Sequence, residues 1–147
     1  MDEIAYHSAR QAISAPPCVF ARAILSGCAQ CELSHRRAMA EREVIHCSSE
    51  VAHINCGTLD SLLRERAFFA LRLPRRGEPI AHAKVMKLHC GGLRGIQTAL
   101  HMPQPDVHQM VKKAMEAEAS LLDLPWEDIV ASASAWQLRL RAVPPLT

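Results

Sequence analysis

Thr58-Leu59-Asp60-Ser61-Leu62-Leu63-Arg64-Glu65-Arg66-Ala67-Phe68-Phe69-Ala70-Leu71-Arg72-Leu73 is the stretch on which a reading of the fold turns. Leu59, Leu62, Leu63, Ala67, Ala70 and Leu71 recur at i, i+3, i+4, i+8, i+11 and i+12. That spacing lays them along one buried stripe of an α-helix.

The same period continues toward the C-terminus. The loop Leu73-Pro74-Arg75-Arg76-Gly77-Glu78-Pro79 separates this helix from a second, expected from about Ile80 to Leu100. Ala83, Met86, Cys90, Leu93, Ile96 and Leu100 share a side of it. Beyond the loop Met102–Pro105, Asp106 can cap a helix bearing Val107, Met110, Val111, Ala114, Leu121 and Leu122. A last helix begins near Asp123-Leu124-Pro125, where Glu127 and Asp128 suit the positive end of a helix dipole. Ile129, Ala133, Trp136 and Leu140 form its apolar side, and Pro144-Pro145 closes the chain as a tail.

Toward the N-terminus the pattern is weaker. A helix is expected from about Asp2 to Ser14, ended by Pro16-Pro17, and a short one from there to about Ser26. Gly27 breaks it. A longer helix is expected to follow to about Ile45, with Leu33, Arg37, Ala40 and Val44 on one face. His46 to Gly57 reads as a compact stretch in which Ser48 or Ser49 caps a short turn and Thr58 caps the next helix. No strict alternation is long enough for a sheet. The expectation is therefore an all-α, single compact helical domain of about six or seven helices. It spans residues 1–147, with a Cys-rich half (18–56) and a helical half (58–141).

Composition agrees with a globular chain. Hydrophobic residues make up 49% and charged residues 22%, which excludes a disordered segment. Aromatics are only 4%, so aliphatic side chains must fill the core, a mix that favours helices. No secretory leader follows Met1-Asp2-Glu3, and no run reaches the roughly 18 apolar residues of a membrane span. A cytoplasmic setting is expected, where thiols stay reduced and six cysteines are not three disulfides.

Those cysteines carry the chemistry. Their spacing is C-x9-C-x2-C-x15-C-x8-C-x33-C, with five in the first 56 residues. Cys28-Ala29-Gln30-Cys31 is a C-x-x-C. Cys47 and Cys56 flank the compact stretch, each expected just before a helix start. Free N–H groups at such a start stabilise a thiolate or an anionic cluster. Three of the six glycines touch a cysteine, at Gly27-Cys28, Cys56-Gly57 and Cys90-Gly91. The spacing matches neither ferredoxin run, nor a paired C-x2-C zinc ribbon, nor C-x-x-C-H haem attachment. No His pair stands at ligand spacing. Cys28, Cys31, Cys47 and Cys56 are therefore the expected metal ligands, holding a [4Fe–4S] cluster, with zinc as the alternative. Cys90, Gly91 and Gly92 suggest either close helix packing or room for a cofactor, because glycine inside a helix costs about 1 kcal/mol and needs a reason. Cys18 is the least distinctive of the six and suits a core. The competing reading makes all these thiols small buried hydrophobes.

Other chemistries find little support. There is no phosphate loop, no nucleophile elbow and no E-x-x-H pair. Between residues 61 and 95, eight Arg and Lys face two Glu, a balance of +6, whereas 104–137 carries −4. Arg64, Arg66, Arg75 and Arg76 could dock an acidic protein partner on the segment Arg64 to Arg76. A net charge of +2 without a helix-turn-helix pattern argues against nucleic acid. The functional expectation is a small iron–sulfur protein in electron transfer or redox sensing with a larger partner, not an enzyme on its own. A zinc-stabilised adaptor, a thiol enzyme or carrier using the C-x-x-C or Cys90, and a metal-free helical interaction module with buried thiols are the other readings.

Overall fold

The structure, a computed structural model, describes residues 15–118 and 120–137. The helix expected over Asp2–Ser14, the apolar position Leu140 and the tail Pro144-Pro145 lie outside them. The all-α expectation is overturned. Among the described residues there are five helices, not six or seven, together with a two-stranded antiparallel sheet.

The sheet replaces the helix expected to end at Ile45. Strands β1 (Ser34–Met39) and β2 (Arg42–Cys47) pair from Ser34 opposite Cys47 to Met39 opposite Arg42. Ala40 and Glu41 make the two-residue turn between them, and Ala40 takes a φ of 56°. Leu33, Arg37, Ala40 and Val44 share a helical period by coincidence of spacing. What decides the strand is that Ile45 and Cys47 bury alternate positions of β2 against the core. Pro16 to Cys18 adds a short extended piece along the other edge of β2: Cys18 N–H donates to the Ile45 carbonyl at 2.8 Å, and Cys47 N–H to the Pro16 carbonyl at 2.9 Å.

Helix α1 (Ala21–Leu25) follows that piece and ends at Gly27, whose φ of +84° few other residues adopt at low cost. Helix α2 (Glu50–Ala67) starts earlier than the periodic stretch suggests. Ser49 caps it, its hydroxyl oxygen accepting from the Ala52 N–H at 3.2 Å. The stretch His46–Gly57 is thus the end of a strand and two helical turns. Thr58 lies mid-helix, its hydroxyl donating back to the Ile54 carbonyl.

Helix α3 covers 82–99 in three consecutive pieces: α-helical His82–Met86, a π-turn at Lys87–Gly91, and α-helical Gly92–Ala99. Helix α4 is Val107–Glu118, and α5 is Trp126–Ala135, preceded by a 3-10 turn at Leu121–Asp123. One core runs through all of these. Phe20, Leu59, Leu63, Leu88, Leu93, Ile96, Met110 and Ile129 are fully buried in it. Among the described residues no helix is long and apolar enough to cross a membrane.

Candidate metal centre

Four thiols from four different places in the chain line one pocket: Cys18, Cys31, Cys47 and Cys56. Each is brought there by a separate local device. The strand-like pairing of Pro16–Cys18 with β2 sets Cys18 opposite Ile45, on the face of the strand that Cys47, its last residue, shares. Cys47 Sγ–H donates to the Ser49 carbonyl at 3.2 Å, where the chain turns into α2. Cys56 stands two turns into α2, on the face that also carries Ala52, Leu59 and Leu63.

Cys31 sits in the loop between α1 and β1, and Asp106 holds that loop. One carboxylate oxygen of Asp106 accepts from the Glu32 N–H at 3.0 Å, and the other accepts from the Gln109 N–H at 3.1 Å as the cap of α4. On either side, Gln30 N–H donates to the Pro105 carbonyl and Val107 N–H to the Gln30 carbonyl. Across the same junction the Glu32 carboxylate meets His108 and accepts from the Gln109 side-chain amide at 2.7 Å. Its pKa falls below the ordinary carboxylate value, chiefly through the His108 contact.

The walls between the thiols are mostly apolar, from Val19, Phe20, Ala52 and Val107. Burial therefore dominates the acidity of the sulfurs. It pushes the Cys18 thiol up to about 11, with Cys31 and Cys47 adding repulsion. Burial again, then Cys31, Cys18 and Cys47, push Cys56 up to about 12. Cys31 is raised by burial and partly relieved by the N–H groups of Leu33 and His108, the latter in the first turn of α4. Each thiolate would disfavour the next unless positive charge lay among them. A metal centre supplies that charge, and its binding would release the thiol protons.

The pocket that the four cysteines line has about 20 Å³ of free space. That is room for one water-sized body. A bonded metal lies inside the van der Waals radii of its sulfurs and needs less free volume than an unbonded ligand. Tetrahedral zinc at a Zn–S distance of about 2.3 Å would draw its thiolates to about 3.8 Å from one another. Among the described residues, no three His, Cys, Asp or Glu side chains are drawn in closely enough to hold one metal ion between them. The four cysteines share one pocket without forming such a group.

Of the ligands expected from the sequence, Cys31, Cys47 and Cys56 meet here. Cys28 does not: the C-x-x-C divides, and Cys18 completes the set in its place. Cys28 lies beside Cys90 instead, with the Ser26 hydroxyl touching both. Only Cys47 precedes a helix start as expected, since Cys56 lies inside α2. Cys90 is buried in the π-turn, and the two readings of Gly91 and Gly92 separate there. A Cβ on Gly91 would stand 2.6 Å from Ala133 Cα, and one on Gly92 would stand 2.7 Å from Leu63 Cδ2. These glycines admit helix α5 and a leucine, so close packing accounts for both. Cys18 carried no spacing signal; its place follows from pairing with β2, a strand that helical periodicity concealed. No family model matches the chain, and no curated protein or solved structure is similar to it.

Proposed function

We propose that Cys18, Cys31, Cys47 and Cys56 hold an iron–sulfur cluster of the [4Fe–4S] type, and that the protein transfers electrons or senses redox state with a protein partner. The observation that carries the reading is the convergence of four thiols, from a loop, a strand end and two other elements, on one apolar-walled cavity. A core made for packing alone has no reason to gather four of six cysteines around a shared space. A cluster held there would exchange single electrons at a potential set by burial and by N–H groups directed at its sulfurs. Leu33 and His108 supply such groups at Cys31.

The partner reading concerns the segment Arg64 to Arg76. Arg64, Arg75 and Arg76 line an open groove with Phe68 and Phe69, and Phe69 is 88% exposed. An exposed phenylalanine ringed by arginines suits an acidic protein surface with an apolar centre. Arg64 also lines the cleft that reaches Cys18, so a partner seated on this groove would lie close to the centre. A cytoplasmic setting, which keeps the thiols reduced, belongs to the same proposal.

Purification without oxygen, followed by absorption spectroscopy and assays of iron and sulfide, tests the cluster. Iron and sulfide in stoichiometric amount are expected. Cys18→Ser is expected to lose them and Cys28→Ser to keep them. The small free volume of the pocket favours the second reading, a zinc-stabilised adaptor, for which the same preparation would contain stoichiometric zinc and no sulfide. A protein free of both metals would falsify the centre altogether and leave a helical module with buried thiols.

A further inference from the structure

The six cysteines divide into four around the cavity and two outside it, and the two outside it lie together. Cys28 follows the Gly27 turn that ends α1, held by its N–H bond to the Ala23 carbonyl at 2.9 Å. Cys90 lies in the π-turn of α3, against which α1 packs. The Ser26 hydroxyl oxygen is 3.2 Å from Cys28 Sγ and 3.7 Å from Cys90 Sγ, so a single atom touches both sulfurs. Both thiols line a cleft of about 420 Å³ with Arg94, His101 and Trp136. A small oxidant therefore has a path to them that does not cross the four-thiol cavity.

We propose that Cys28 and Cys90 are a redox-active dithiol, oxidised by a hydroperoxide to an intramolecular disulfide. Half-buried Cys28 is oxidised first, since Cys90 is only 2% exposed. Burial, and then the Cys28 sulfur beside it, push the Cys90 thiol up to about 12, which keeps it protonated until it acts as the resolving group. In the first step the Cys28 thiolate attacks one peroxide oxygen. The O–O bond breaks, the other oxygen leaves as an alcohol or water with the thiol proton, and Cys28 becomes a sulfenic acid. In the second step the Cys90 sulfur attacks the Cys28 sulfur. The S–S bond forms, the S–O bond breaks, and the departing hydroxide takes the Cys90 proton and leaves as water. Two electrons pass from the sulfur pair to the peroxide, and a thiol reductant returns the pair to its starting state. The bond joins the end of α1 to the π-turn, so it constrains the loop that carries Cys31 at one end.

The test treats the reduced full-length chain with equimolar hydrogen peroxide, blocks remaining thiols with iodoacetamide, and maps peptides by mass spectrometry without reduction. A linked pair containing Cys28 and Cys90 is expected, lighter than the separate peptides by two hydrogens. Cys28→Ser and Cys90→Ser each abolish it. In Cys90→Ala, a dimedone adduct is expected on Cys28, a readout that a merely structural thiol would not give. A Cys28–Cys31 link in place of Cys28–Cys90 would overturn the proposal. So would recovery of both residues fully alkylated.

Discussion

The half of the molecule that carries the thiols and the half that carries the glycines are built on opposite principles. Around the cavity, Cys18, Cys31, Cys47 and Cys56 arrive from an extended segment, a loop, a strand end and a helix interior, tied by isolated hydrogen bonds. Between α3 and α5 the backbones themselves approach. Gly91 and Gly95 face Ala133 and Ile129, and the Ser132 hydroxyl donates to the Gly91 carbonyl at 2.8 Å. The first arrangement leaves space among polarizable, ionisable groups, and the second removes space altogether. A site needs the former, and the latter gives the close packing of a core.

Four substitutions probe that contrast, in decreasing order of effect. Cys47→Ser is expected to empty the centre, taking bound metal from stoichiometric to trace, while far-UV circular dichroism keeps the helical signal of α3, α4 and α5. If the helical signal vanished with the metal, the two halves would not be separable. Gly91→Ala reverses the pattern. Its Cβ meets backbone and not a flexible side chain, so overpacking of about 1–3 kcal/mol should lower the urea midpoint, with metal per folded molecule unchanged.

Asp106→Ala strikes the junction and should affect both readouts. Loss of the α4 cap costs about 0.5–2 kcal/mol, and release of the Glu32 N–H should weaken metal retention against a chelator. Asp106→Asn, which keeps one acceptor oxygen, is expected to recover part of the stability. An Asp106→Ala variant that lost stability but held metal as tightly as the parent would show that Cys31 needs no such anchor. Ala40→Gly comes last. It relieves a left-handed alanine, worth about 1–2 kcal/mol, at the entropic cost of about 0.5–1 kcal/mol for glycine. A net rise in stability of at most about 1.5 kcal/mol should appear in the thermal midpoint.

How much of this was legible in the sequence follows the same divide. The stripe Leu59-Leu62-Leu63-Ala67 and most of the faces of α3, α4 and α5 follow local period, but three expected apolar positions are exposed: Ala70 lies past the end of α2 at Ala67, Ala83 stands in the first turn of α3, and Leu122 falls beyond α4, which ends at Glu118. The stripe of α2 even reaches back through Cys56 to Ala52, so a longer window would have put Cys56 inside the helix. The hairpin was hidden because its turn is Ala40-Glu41 and lacks the Asn-Gly or Asp-Gly signature. His35, Arg36 and Arg37 are all exposed, so β1 shows no apolar alternation to read. With the strands concealed, the pairing that carries Cys18 to Cys47 was concealed too. Three of the four cavity thiols came from clustering along the chain; the fourth depends on a long-range contact that spacing does not encode.

The hairpin has a further consequence. Its sheet has two strands, and among the described residues nothing pairs with the outer side of β1. An open edge is a template on which a second molecule can add a strand and begin to aggregate. Here that edge carries Arg36 and Arg37 in succession, and two copies brought edge to edge would set these arginines against one another. The charges act as gatekeepers along this open edge.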